Sequence, residues 1–255
     1  ASAPAWAGYP TVWGTPALRA AIRGYLETRW GSVPLQDANV LPVVGTKELV
    51  AHLPLQLGLG VGDVVVFPET AYPTYEVGAR LSGAEPVPCD DPERAAALRP
   101  GLIWINSPAN PHGAVLSSSE LRAWVDAARS CGAVLASDEC YGEFGWDAEP
   151  VSVLHPDVNG GSLDRLLAVH SLSKRSNMAG FRAGFVAGDA AGVGELLAVR
   201  KHSGLMVPGP VQAAMAELLG DQAHVEEQRN RYLARRAVLR PALEASGLRI
   251  EHSEG

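Results

Sequence analysis

Short apolar runs punctuate the chain, and the stretches between them space their apolar residues by three and four. Residues 40–44, 64–67, 101–105, 133–137, 166–169 and 185–187 predict buried strands, and 85–88 a further short one. The first helix is bounded by chemistry as well as by pattern: Thr15 stands at the N-cap position, Pro16 at the first helical position and Gly31 at the end, around the apolar stripe Leu18, Ile22 and Leu26. Further helices are predicted from Thr46 to about Leu57, over 75–81, over 117–130 and over about 190–202. Pro208-Gly209-Pro210 breaks the last of these, and helices near 211–219 and 222–245 follow with the spacing of partly exposed helices. Leu248-Arg249-Ile250 reads as one strand of a second unit. Gly58-Leu59-Gly60-Val61-Gly62-Asp63 has the glycines of a dinucleotide loop, but it follows a helix and precedes a strand, the reverse of what that loop requires, and reads as a helix-ending turn.

Composition agrees with a packed α/β core. Of the 255 residues 47% are hydrophobic and 19% charged, which excludes a disordered chain. A net charge of -7 argues against nucleic acid or an anionic membrane as partner. Cys89, Cys131 and Cys140 form no CxxC pair and leave an odd one over, so neither a disulfide framework nor a zinc site is indicated and a reducing cytoplasm is expected. No run of about 18 apolar residues occurs, and the first residues lack a basic segment followed by a long apolar one. The chain has no initiator Met and ends just past a predicted strand, so it is read as cut at both ends.

The sharpest chemistry lies in Ser171-Leu172-Ser173-Lys174-Arg175-Ser176-Asn177-Met178-Ala179-Gly180-Phe181-Arg182, a small polar loop between two predicted strands. Most lysines are solvated surface charges. Here Lys174 has Ser171 three residues before it and Arg182 eight residues after it, so a hydroxyl and a guanidinium can hold a phosphate dianion beside the amine. A deprotonated lysine forms a Schiff base with an aldehyde, and a phosphorylated aldehyde suits both halves. The pattern Ser-x-Ser-Lys-(x)5-Gly-x-Arg resembles the cofactor-lysine motif of the fold type I, class I/II aminotransferases, whose cofactor is pyridoxal 5'-phosphate (PLP).

That resemblance extends through ordered segments over nearly the whole chain. Gly45-Thr46-Lys47-Glu48 resembles the phosphate cup, where a helix start presents free N–H groups. Tyr72, in Tyr72-Pro73-Thr74-Tyr75, matches the aromatic that stacks on the pyridine ring. Asn106-Ser107-Pro108-Ala109-Asn110-Pro111-His112-Gly113 resembles the loop whose second Asn, Asn110, donates to the cofactor's phenolic oxygen; the family more often has Thr where this chain has His112. In Asp138-Glu139-Cys140-Tyr141 the resemblance gives Asp138 the ring nitrogen and Tyr141 the phenolic oxygen, while Glu139 and Glu143 are read as structural. Tyr9, in Tyr-Pro-x-x-x-Gly-x-x-x-Leu-Arg, matches the Tyr that reaches the phosphate of the partner subunit; from the residues alone it is a loop aromatic packing on the first helix.

The resemblance implies a three-layer α/β/α large domain with a mostly parallel sheet, the beginning of a smaller α+β C-terminal domain, and a homodimer with shared sites. The expected division is an N-terminal segment and helix over 1–31, a PLP-binding domain over 32–210, and interdomain helices with the start of the small domain over 211–255. The wording of three segments is most similar to bacterial N-succinyldiaminopimelate aminotransferases of lysine biosynthesis, which implies N-succinyl-LL-2,6-diaminopimelate and 2-oxoglutarate as substrates. The alternatives are another class I/II aminotransferase of aspartate or kynurenine type, a PLP lyase, or the PLP-sensing domain of a transcription regulator. The substrate carboxylate-binding Arg is expected beyond Gly255, and no metal is expected.

Overall fold

The computed structural model describes residues 8–255. Helix α1 (Pro16–Trp30) starts and stops where its caps place it: the Thr15 hydroxyl accepts from the Leu18 N–H, and Gly31 ends the helix in the left-handed region at φ 59°. Its Leu18, Ile22 and Leu26 are fully buried.

Seven strands form one sheet: β1 (Val40–Val43), β2 (Val64–Phe67), β3 (Glu85–Pro88), β4 (Leu102–Asn106), β5 (Val134–Asp138), β6 (Leu166–Ser171) and β7 (Gly184–Gly188), in the order β1-β7-β6-β5-β4-β2-β3. β7 runs antiparallel to both its neighbours, β1 and β6, and every other pairing is parallel. All strands except β7 therefore point the same way. β3 carries Pro86 and Pro88, which lack the N–H that a second neighbour would need, and it lies at the sheet's edge.

Alternate strand residues feed two cores, as the pleat requires. On β4, Ile103 and Ile105 join a cluster with α1, α5 (Ser118–Cys131) and α9 (Gly209–Gly220). Leu102 and Trp104 face the other way, onto α2 (Thr46–Gln56), α3 (Thr74–Ser82) and α8 (Ala190–Arg200). The result is helices on both faces of a mostly parallel sheet. Arg200, with no exposed surface, is held in the second core by Glu48 of α2 through Nη1 at 3.1 Å and Nη2 at 2.6 Å, and by Gln56 at 3.2 Å.

Two expectations about local structure are corrected. Leu248-Arg249-Ile250 forms no strand and pairs with none of the seven strands of the sheet. Lys174 stands not in irregular loop but in a single helical turn, α7 (Leu172–Arg175), closed by Ser171, whose hydroxyl accepts from the Ser173 N–H at 3.1 Å. The short α4 (Pro92–Ala97) also carries a local start signal: Asp91 accepts from the Arg94 N–H and Pro92 holds the first position. Among the described residues the remaining α-helices are α6 (Pro156–Asn159) and α10 (Ala223–Ala245). Among the described residues no helix is long and apolar enough to cross a membrane.

Candidate active site

Parallel strands in register finish together, so their carboxyl ends bring residues distant in sequence to one edge. Asn106 pairs with Asp138 across β4 and β5, and Ser171 at the end of β6 pairs with Gly184, where β7 begins. A cavity of about 410 Å³ opens at this edge. Thr46, Lys47, Tyr72, Asn110, Asp138, Tyr141, Ser171, Lys174 and Arg182 all line it.

The anion side of the cavity is built from backbone. Gly45 precedes α2 at φ 75° and offers no side-chain cap, which leaves the first N–H groups of the helix and its positive dipole end facing the cavity beside Thr46 and Lys47. A Cβ at Gly45 would run into the Arg182 guanidinium, so only glycine lets that charge lie against the helix start. Arg182 itself is left-handed at φ 53° and donates from Nη1 to the Ala179 carbonyl at 2.9 Å. The Lys47 ammonium lies 5.5 Å from the Tyr72 ring centroid.

The opposite side holds a buried carboxylate. Asp138 is 7% exposed and accepts from the Tyr75 phenol at 2.9 Å and from the Cys140 N–H at 3.2 Å. Burial pushes its carboxyl above the ordinary range, while the Cys140 and Tyr75 hydrogen bonds and the nearby His170 work the other way. Among the described residues no Lys, Arg or His stands within ion-pair distance of Asp138. A buried, cavity-facing carboxylate with only neutral donors is set up to receive a cation from the cavity.

Between these poles, Lys174 Nζ lies 5.8 Å from the Tyr141 ring centroid. Burial raises the Tyr141 phenol above its usual value, so it is a protonated donor at neutral pH. Asn110 is set by Asn106, whose side-chain oxygen accepts the Asn110 N–H at 2.7 Å and whose amide donates to the Asp138 carbonyl at 2.8 Å. The Ser107–Pro108 and Asn110–Pro111 bonds of this loop are cis. His112 does not line the cavity; its ring centroid is 5.6 Å from that of His252. Tyr9 is 97% exposed and lies outside the cavity.

Sequence reasoning passed over Tyr75, Asn106 and Cys140, all of which line the cavity. Tyr75 had a signal, a second tyrosine three residues after Tyr72, in the first turn of α3. The Cys140 thiol donates to Thr46 Oγ1 at 3.3 Å, joining β5's end to the start of α2. Together, an anion cup, a central amine and an uncompensated buried carboxylate fit a phosphorylated pyridine aldehyde.

The family model described as Aminotransferase class I and II matches residues 1–255. The chain is 58% identical over 248 residues to the 4-dedimethylamino-4-oxo-anhydrotetracycline transaminase OxyQ of Streptomyces rimosus, covering 97% of this chain and 69% of that protein. It is 54% identical over 254 residues to the probable aminotransferase Rv1178 of Mycobacterium tuberculosis, covering 100% of this chain and 61% of that protein. The chain thus spans about two thirds of the length of these relatives. Among solved structures, an aminotransferase from Staphylococcus aureus superposes with a TM-score of 0.90 at 26% identity, over 100% of this chain and 70% of that one. The N-succinyldiaminopimelate aminotransferase from Mycobacterium tuberculosis superposes with a TM-score of 0.85 at 28% identity, over 94% and 65%.

Proposed function

Because the chain belongs to the class I and II aminotransferases, which are PLP-dependent, we propose that it carries the cofactor site of a transaminase, with Lys174 as the residue that holds PLP. The observation behind this reading is the single cavity in which Lys174, Asp138, Tyr141, Asn110 and Arg182 meet. When bound, PLP supplies an aldehyde that takes up an amino group and a ring that withdraws electrons from the substrate's α-carbon.

The protein's own residues divide the remaining work. Asp138 would face the ring nitrogen and, as a carboxylate, would hold a proton there. Tyr141 and Asn110 would donate to the phenolic oxygen, and Tyr72 would pack its ring on the pyridine face. Ser171, Arg182 and the N–H groups after Gly45, at Thr46 and Lys47, bind the phosphate. With PLP bound, the Lys174 amine would serve as the general base and then the general acid for the proton at the substrate α-carbon. Tyr9 of the partner subunit completes the phosphate cup in a homodimer.

The donor is proposed to be an amino acid and the acceptor a 2-oxo acid, specifically N-succinyl-LL-2,6-diaminopimelate with 2-oxoglutarate. Support comes from the likeness to the N-succinyldiaminopimelate enzyme and from 35% identity over 256 residues to the LL-diaminopimelate aminotransferase of Desulforudis audaxviator. The test is borohydride reduction of the PLP-loaded protein followed by peptide mapping. Label is expected on the Lys174 peptide; no label there, or the same label in Lys174→Ala, rejects the assignment. Amino transfer from glutamate to succinylated 2-amino-6-oxopimelate, with a polycyclic ketone as the competing acceptor, then tests the substrate.

A further inference from the structure

Glu143 and Arg175 touch no part of the cavity, yet each sits beside a residue that does. Glu143 follows Tyr141 by two positions, in the tight turn Gly142–Phe144. Arg175 follows Lys174 directly and closes α7. Both are buried, at 6% and 3% exposure, and Arg175 Nε donates to Glu143 Oε1 at 3.2 Å. We propose that this buried ion pair is a positioning device that fixes the Lys174 amine relative to the Tyr141 phenol. The inference rests on the PLP reading of the site given above.

α7 is four residues long. A single turn has no stability of its own, because nucleation fixes several dihedrals for one hydrogen bond. Something outside it must hold it in place. Ser171 caps its start, and Arg175 anchors its end. The guanidinium spends its donors in several directions: Nε on Glu143, Nη1 on the Leu218 carbonyl at 2.7 Å and Ser176 Oγ at 3.1 Å, and Nη2 on Gln222 Oε1 at 3.2 Å. A planar fork bonded on three sides has no freedom to turn. Its carbon also lies 4.8 Å from the Tyr25 ring centroid.

Glu143 is held as firmly. Its Oε1 accepts from the Tyr25 phenol at 2.9 Å and its Oε2 from Arg29 Nε at 3.0 Å, so α1 grips the carboxylate from both oxygens. The turn can press that close to α1 because residue 142 is glycine; a Cβ there would meet the Trp30 ring at 2.5 Å. The ends of β5 and β6 carry Tyr141 and Lys174 as separate arms, and the Glu143–Arg175 pair is the brace between those arms, fastened to α1 on one side and to the α9–α10 junction on the other.

The experiment compares Glu143→Gln and Arg175→Met with the unmutated, PLP-loaded intact protein. If the pair positions Lys174, kcat falls by between about tenfold and a hundredfold, the scale of a 1 Å misplacement, while KM and PLP affinity stay near their original values. The pH midpoint of the visible band of Lys174-bound PLP moves, and in cofactor-free protein the rate at which an amine reagent labels Lys174 changes with it. The double variant loses no more than the worse single one. Tyr25→Phe, which removes one hydrogen bond from Glu143 and leaves both charges, decides the matter should the charge variants not fold; it is expected to shift the same midpoint by a smaller amount. Lower melting temperatures with unchanged kcat, band midpoint and labelling rate would overturn the proposal and leave the pair purely structural. A band that is normal in the unmutated protein and unmoved in every variant rejects this inference alone, whereas no Lys174 band in the unmutated protein rejects the PLP assignment and this inference with it.

Discussion

The phenol of Tyr75 donates a 2.9 Å hydrogen bond to Asp138 Oδ2, and its ring stacks on Trp104 with centroids 5.1 Å apart. Tyr75 is 1% exposed, so this donor cannot be replaced by bulk water. The bond favours the ionised form of Asp138 against a burial that disfavours it. Tyr75→Phe should therefore weaken Asp138 as a carboxylate while keeping the shape of the core. A hydrogen bond to a charged group contributes roughly 1.5–3 kcal/mol, and kcat is expected to fall about tenfold to a hundredfold. Steady-state kinetics at saturating PLP checks this, and unchanged turnover would show that Tyr75 does not act through Asp138.

Asp138 also makes a statement about stability. Its folded-state pKa is raised by burial, so between the unfolded and folded values the folded chain binds more protons than the unfolded one. The stability of cofactor-free protein should accordingly fall as pH rises out of the ordinary carboxylate range through the raised folded value. Asp138→Asn removes that loss. The melting temperature of the cofactor-free variant should gain on the unmutated protein as pH is raised, while its turnover with PLP drops by several factors of ten, each costing about 1.4 kcal/mol. Parallel melting curves at every pH would contradict the first half, and near-normal turnover the second.

Gly45→Ala places a methyl group where the Arg182 guanidinium lies, in a backbone held at φ 75°. With ψ at 148° this is a region essentially confined to glycine, which costs an L-residue roughly 1–3 kcal/mol, and Arg182 must also move. PLP affinity is expected to fall by about tenfold or more, with little change in far-UV circular dichroism. Fluorescence titration with PLP measures it; affinity equal to the unmutated protein would place the phosphate elsewhere.

Arg200 tests the core beneath the cup. It pairs with Glu48 in the first turn of α2, the same turn that carries Thr46 and Lys47. Arg200 has no exposed surface and Glu48 keeps 16%, so removing the guanidinium costs up to roughly 3–5 kcal/mol, the value for a fully buried pair, because the other charge stays behind. Arg200→Ala should lose stability on that scale in urea unfolding, while Arg200→Met with Glu48→Gln should recover much of it. A single variant as stable as the parent would mean that water reaches Glu48.

Tyr9 is expected to act across subunits. Tyr9→Phe should weaken PLP binding about tenfold to a hundredfold, from the loss of one hydrogen bond to a charged phosphate. In the proposed homodimer, mixing Tyr9→Phe subunits with Lys174→Ala subunits would form heterodimers in which a Lys174-bearing site faces an intact Tyr9. Affinity at that site should recover. If it stays low after verified subunit exchange, Tyr9 serves its own chain.

What the sequence determined by itself is what chemistry near each residue dictates. Thr15, Pro16 and Gly31 announce the bounds of α1 because capping and φ restrictions act within a few residues, and the apolar runs of β4, β5 and β6 end where Asn106, Asp138 and Ser171 leave the sheet. The cofactor roles of Lys174, Asn110, Asp138, Tyr141 and Arg182 came from the resemblance of ordered motifs to a family, and the structure brings these five residues to one cavity. Tertiary structure alone decided the strand order with β7 reversed, and the pairs that span it. Tyr75 and Asp138, Arg200 and Glu48, and Glu143 and Arg175 are far apart in the chain and obey no periodicity, so nothing local marks one as the partner of the other. Leu248-Arg249-Ile250 shows the same limit from the other side, since strand-forming residues become a strand only where a neighbouring backbone accepts their hydrogen bonds.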